Sequence, residues 1–203
     1  GGDAKQTTAL NQPKALPYDG KGYLYLSGVS GNYASVPDPL GALGDFTFQV
    51  DGLDAGAVRP AANVTLISQY ASGNFAFLVR ITSSGGLNLA LFTTVNESHY
   101  GAAVPADTVG IRVTRVGTLI TYWVDTGSGY VSHATDTSAG TVLINSTSPV
   151  EIGSRSNGTN DRLLGKIGQA RIWDNGTQAG DPVLDVDFTA KSIPHGAKKF
   201  QCA

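Results

Sequence analysis

Phe75-Ala76-Phe77-Leu78-Val79-Arg80-Ile81-Thr82-Ser83-Ser84-Gly85-Gly86-Leu87-Asn88-Leu89-Ala90-Leu91 is the stretch on which the fold turns. Phe75, Phe77, Val79 and Ile81 alternate with Ala76, Leu78, Arg80 and Thr82. Alternation with a period of two is the mark of a strand with one buried face. Ser83-Ser84-Gly85-Gly86 supplies the turn, and Leu87, Leu89 and Leu91 resume the period. The stretch therefore predicts a β-hairpin.

A second hairpin follows. Val109, Ile111 and Val113 alternate with Gly110, Arg112 and Thr114; Val116-Gly117 turns the chain; Ile120, Tyr122 and Val124 then alternate with Thr121 and Trp123. Further strands are expected at Tyr23–Leu26, Tyr33–Val36, Phe46–Val50, Val64–Tyr70, Tyr130–Ala134, Val150–Gly153, Ile167–Trp173 and Val183–Phe188. No stretch shows a helical period for longer than about two turns. Short strands at roughly ten-residue spacing predict an all-β sandwich or barrel. The expected core is Phe75, Phe77, Val79, Ile81, Val109, Ile111, Val113, Ile120, Tyr122 and Val124, because a one-residue slip in either hairpin would turn every apolar side chain to water.

Composition agrees. The 203 residues hold 26 glycines, only 15% charged residues, and two glutamates (Glu97, Glu151) against fourteen aspartates. Asp, Asn, Ser and Gly favour turns, whereas Glu favours helices. The length suits one domain with a sizeable core. Residues 1–20 show no clean period and read as a linker or arm; 21–190 form the domain; 191–203 form a tail. The net charge of −2 provides no basic footprint for nucleic acid. No apolar run approaches the ~18 residues of a membrane helix, and no signal peptide is visible. Methionine is absent, as expected of a piece cut from a longer chain. One cysteine, Cys202, allows no internal disulfide and no thiolate zinc site.

The mixed faces of the two hairpins carry Arg80, Asn88, Phe92, Arg112, Thr121 and Trp123. If the hairpins adjoin, Trp123, Arg112 and Arg80 share one solvent-facing patch suited to stacking a sugar ring and bonding its hydroxyls. The competing reading is that a loop covers Trp123 and the arginines are ordinary surface charge. Catalytic signals are missing. Glu97 and Glu151 have no carboxylate partner at glucanase spacing, and Asp185 and Asp187 share one face of one strand, whereas a glycosidase pair flanks the scissile bond. No nucleophile elbow, zinc-protease motif or P-loop occurs. His99, His133 and His195 read as loop or strand-end residues without zinc spacing. The chain reads as non-enzymatic. Asn63, Asn96, Asn145, Asn157 and Asn175 open glycosylation sequons, for which turn chemistry is the preferred account.

Three passages carry a resemblance. Leu24-Tyr25-Leu26-Ser27-Gly28 through Tyr33-Ala34-Ser35-Val36-Pro37-Asp38, then Leu43-Gly44-Asp45-Phe46-Thr47-Phe48, then Gly165-Lys166-Ile167-Gly168-Gln169-Ala170-Arg171-Ile172-Trp173, in this order, resemble strands of the concanavalin A-like, laminin-G-type jelly rolls. The resemblance implies a two-sheet antiparallel jelly-roll sandwich over about residues 20–190. Gly168-Gln169 stands where that family often has Asp-Glu. Relatives often hold a rim Ca²⁺ through loop carboxylates; the candidates here are Asp38, Asp45, Asp51, Asp54, Asp125 and Asp136, none of them in an EF-hand-like loop. No cofactor is assigned.

The end of the chain is more pointed. Leu184-Asp185-Val186-Asp187-Phe188-Thr189-Ala190, followed by Pro194-His195-Gly196-Ala197 and Phe200, resembles minor tail proteins of phages that infect actinobacteria. That resemblance implies a virion-tail location, neighbouring tail proteins as partners, and host cell-wall glycan as ligand. The alternatives are a structural tail-decorating module without sugar binding and a secreted lectin-like adhesion domain.

Overall fold

The computed structural model describes residues 3–4, 14–18, 21–38, 40–71, 74–92, 96–139, 146–189 and 200–201. The strands are β1 (Asp3–Ala4), β2 (Lys14–Tyr18), β3 (Lys21–Ser27), β4 (Ala34–Val36), β5 (Phe46–Asp51), β6 (Val64–Ala71), β7 (Asn74–Ile81), β8 (Gly86–Phe92), β9 (Asn96–Ala103), β10 (Gly110–Val116), β11 (Leu119–Asp125), β12 (Tyr130–Thr137), β13 (Val150–Ile152), β14 (Leu164–Ile167), β15 (Gln169–Trp173), β16 (Leu184–Asp187) and β17 (Phe200–Gln201). One helical turn, α1 (Ala55–Val58), is capped by Asp54.

Two six-stranded antiparallel sheets face each other. The front sheet runs β12, β11, β10, β5, β15, β16; the back sheet runs β4, β13, β6, β7, β8, β9. A three-stranded sheet of β14, β3 and β2 adjoins them, and β1 pairs with β17. β1 and β2 fall within the stretch expected as an arm. The architecture is the jelly-roll sandwich that the resemblance implied, one of the two all-β forms that the alternation allowed.

The core lies between the two large sheets. Phe46, Phe48 and Val50 of β5 meet Phe77, Val79 and Ile81 of β7, all of them buried. The Phe48 ring of the front sheet stacks on Phe77 of the back sheet at 4.3 Å between centroids. Ile111, Val113, Ile120, Tyr122 and Val124 join the same cluster. Two expected core residues depart. Val109 precedes β10 and is 39% exposed, because it stands past the end of the ladder. Phe75 is half-buried; a register shift between Gln69 and Tyr70 breaks its alternation with Phe77. It packs instead with Tyr70 (4.2 Å) and Phe92 (5.1 Å).

The larger correction concerns the hairpins. β7–β8 lies in the back sheet and β10–β11 in the front sheet, so their mixed faces point away from each other. After β9 the chain crosses to the opposite layer through residues 104–109, and no shared patch forms.

Gly168 sits at a close backbone crossing. Gly168 N–H donates to Asp51 O at 2.8 Å, where the chain passes from β14 to β15. A Cβ on Gly52, at φ +72°, would stand 2.7 Å from the Gly168 nitrogen. Gly52 has no room for a side chain there, and a Cβ on Gly168 would be tight, at 3.2 Å from Thr189 Cγ2 and 3.3 Å from Asp51 O.

Candidate functional site

The outer face of the front sheet is an ordered polar plate. Pairing sets Trp123 opposite Arg112, Arg112 opposite Gln49, and Gln49 opposite Arg171, which faces Asp185. Trp123, Arg112, Gln49, Arg171 and Asp185 thus form one row across five strands, at about 4.8 Å per strand. Alternation puts all five outward, because their neighbours Val124, Ile111, Phe48, Ile172 and Val186 fill the core. One flanking row holds Tyr130, Asp125, Gly110, Asp51, Gln169 and Asp187. The other holds Thr135, Thr121, Thr114, Thr47 and Trp173.

Hydrogen bonds fix the plate. Arg112 Nε donates to Gln49 Oε1 at 2.9 Å, and Gln178 Nε2 reaches the same oxygen at 2.7 Å. Gln49 Nε2 donates to Asp51 Oδ2 at 2.8 Å, and Arg171 Nη2 does so at 2.6 Å. The Tyr130 hydroxyl donates to Asp51 Oδ1. Arg112 Cζ lies 3.9 Å from the centroid of the Tyr130 ring, a cation–π geometry. Burial lowers the Arg112 pKa, opposed by the Asp51 carboxylate; burial and then Asp51 hold the Tyr130 hydroxyl far above its usual value. Trp123 is half-buried and its Nε1 donates to Thr114 Oγ1 at 3.1 Å.

Of the three residues expected to bind, the structure therefore brings Trp123 and Arg112 together and sets Arg80 apart. Arg80 lies on the outer face of the back sheet. Its Nε donates to Asn88 Oδ1 at 2.7 Å and its Nη1 pairs with Asp161 at 3.2 Å. Asn88, expected at the surface, is fully buried and donates onward to His99 O. Phe92 belongs to the aromatic cluster with Tyr70 and Phe75. Sequence reasoning missed Arg171, Gln49, Asp51 and Tyr130. Their outward parity was readable, but the strand order that aligns them was not.

His99 also departs from its expected loop position. It is buried within β9, with Nε2 2.8 Å from Glu97 and Nδ1 3.1 Å from Asp136 of β12. The other calcium candidates are engaged singly: Asp38 with Leu40 and Gln69, Asp45 with Gly117, Asp54 with Ala57, and Asp125 with Gly127 and Gly129. Among the described residues, no three of His, Cys, Asp or Glu form a group that could hold a metal ion. Asn145, His195 and the 194–197 passage lie outside the described residues.

No family model and no curated protein matches the sequence. Solved structures do match in fold. The CBM40 of the Ruminococcus gnavus IT-sialidase, bound to α2,3-sialyllactose, has a TM-score of 0.53 at 15% identity over 66% of this chain and 78% of that one. A native heptameric SAP-like pentraxin from Limulus polyphemus gives 0.50 at 14% identity, over 86% and 77%. The binding domain of botulinum neurotoxin DC, in complex with SialylT, gives 0.55 at 10% identity over 86% of this chain. The chain spans 48% of that last structure. At these identities the likeness establishes the jelly-roll fold.

Proposed function

We propose that the chain is a non-catalytic carbohydrate-binding module of a phage tail, with the outer face of the front sheet as its sugar-binding surface. The row Trp123, Arg112, Gln49, Arg171, Asp185 carries the reading. An indole offers the apolar face of a sugar a stacking partner, while guanidinium and carboxylate groups in the same row match its hydroxyls; Gln49, buried and held by Arg112, Gln178 and Asp51, braces them from below. The terminal nitrogens of Arg112 make no hydrogen bond among the described residues and are ready to donate. The face holds Asp51, Asp125, Asp185 and Asp187 against Arg112 and Arg171, so it favours a neutral sugar over an acidic one. Asp185 and Asp187 lie side by side on β16 rather than flanking a cleft, which speaks for binding without hydrolysis. Structural neighbours solved with a sialylated sugar support a carbohydrate ligand. The passage from Leu184 to Phe200, with its likeness to minor tail proteins of actinobacteria-infecting phages, supports the tail location.

Each contact is shallow, and strength comes from many copies on one virion. Attachment of the chain, displayed in multiple copies, to actinobacterial cell walls tests the reading. Trp123→Ala and Arg112→Ala are expected to lower attachment about tenfold or more while the melting temperature stays within a few degrees. Arg80→Ala, on the opposite sheet, leaves attachment unchanged. Attachment that survives both front-sheet changes would sink the assignment of the face. Absence of any attachment favours the purely structural tail module.

A further inference from the structure

We infer that a groove at the sandwich rim is a second ligand site, for a small anionic molecule of monosaccharide size bearing a carboxylate or phosphate. The groove encloses about 780 Å³ and is lined by Gly28, Arg59, Asn63, Asn160, Asp161 and Arg162 among others. That volume lies in the range of small-molecule sites, roughly 300–1,000 Å³. The inference is independent of the front-sheet face.

Charge is the argument. Arg59 Nη1 donates to Val58 O at 2.9 Å and its Nη2 to Val104 O. Arg162 Nε donates to Gly28 O at 2.8 Å and its Nη1 to Thr159 O at 2.7 Å. Backbone carbonyls thus orient both guanidiniums without cancelling their charge, and the remaining N–H groups stay available for a bidentate oxyanion. The one carboxylate in the wall is already matched: Asp161 Oδ2 accepts from Arg80 Nη1 at 3.2 Å and Arg155 Nε at 2.8 Å. Arg80 and Arg155 thus offset Asp161, and the guanidiniums of Arg59 and Arg162 in the lining have no carboxylate partner among the described residues, in a chain of net charge −2. The lining includes no aromatic ring on which a neutral sugar face could stack. Recognition here is by charge.

The backbone beside the groove is held in an uncommon shape. Ser156, Asn157 and Asp161 have φ of 57°, 58° and 45°. The carboxylate of Glu151 accepts the Asn157 N–H at 2.7 Å and the Gly158 N–H at 3.2 Å. Left-handed non-glycine residues persist where surrounding structure enforces them, and they gather at ligand sites. Here they set the segment that presents Arg162.

Calorimetric or NMR titration of the full 203-residue chain with glucuronate, glucose 6-phosphate and glucose tests the inference. Millimolar binding of at least one anion, with none of glucose, is expected; the anion that binds identifies a carboxylate or a phosphate source. Arg162→Ala and Arg162→Glu, both at an exposed position, are expected to weaken that binding about tenfold and more than tenfold respectively. Trp123→Ala leaves it unchanged, which separates this groove from the front-sheet face. Equal binding of glucose, no binding of either anion, or wild-type affinity in both folded Arg162 variants overturns the proposal.

Discussion

The hydroxyl of Tyr130, on β12, donates to the carboxylate of Asp51, on β5, across the two strands that lie between them. The path runs over Gly110, where a Cβ would stand 2.6 Å from the Tyr130 oxygen and 3.1 Å from Asp51 Oδ1. The missing side chain at 110 lets the ring lie flat along the sheet, under the Arg112 guanidinium.

Gly110→Ala therefore displaces the Tyr130 hydroxyl. The atom it meets is the far end of a side chain, so the fold survives. A loss of about 1–3 kcal/mol is expected, the scale of a hydrogen bond to a charged group. Urea unfolding in wild-type and Tyr130→Phe backgrounds checks it: the cost shrinks once the hydroxyl is gone. Equal cost in both backgrounds contradicts the account.

Phe77→Ala removes a fully buried ring that joins the two sheets through Phe48. The expected cost is about 3–5 kcal/mol, read as a lower midpoint in denaturant at unchanged slope. A cost below 1 kcal/mol, far under the Phe-to-Ala range, means that the sheets do not meet there.

Glu151 is buried, and burial pushes its carboxyl up, opposed by the N–H groups of Asn157 and Gly158. Because the folded value is the higher one, its contribution is full below the unfolded value of about 4.3 and is lost as pH rises through the folded value. Glu151→Gln flattens that part of the stability–pH curve. Glu151→Ala strands two N–H donors and costs about 2–4 kcal/mol at neutral pH. Denaturant unfolding between acid and neutral pH measures both, and a curve unaltered by Glu151→Gln refutes the sign.

Asp136 behaves oppositely. Burial raises its pKa, but the Thr137 N–H, His99 and the Tyr100 N–H outweigh it, and the net shift is downward. Its contribution is present above the unfolded value of about 3.9 and is lost as pH falls. The side chain is 40% exposed, so solvent screening leaves about 0.5 kcal/mol. Asp136→Asn is expected to cost about 0.5 kcal/mol at neutral pH and little below the unfolded value, so that unfolding free energy falls less steeply with acidification; denaturant unfolding at both pH values checks it.

What the sequence revealed was local. Alternation from Phe77 to Ile81 and from Ile111 to Val113 placed these residues inward, and the turns at 83–86 and 116–117 fell where expected. Which hairpin joins which sheet is a long-range matter. Nothing in the 104–109 crossing marks a change of layer, so Arg80 and Trp123 read as neighbours although they stand on opposite sides. Arg171 and Gln49 sit about 120 residues apart in sequence, and only the pairing of β15 with β5 brings them into line. His99 was hidden for another reason. A histidine among polar neighbours gives no apolar period, and its burial depends on carboxylates from Glu97 and a distant strand. Phe75 failed because a bulge at Ala76 of its own strand shifts parity without any local signature.

The row from Trp123 to Asp185 also has the properties of an addressable array. Each of its five positions belongs to a different strand, and each is flanked along the chain by a residue that packs the interior. Chemistry at one position can be exchanged while its neighbours in sequence go on holding the sheets together. A combinatorial library randomised at 123, 112, 171 and 185, with the buried Gln49 kept, would vary one face on a constant core, which makes the jelly roll a scaffold for selecting new specificities.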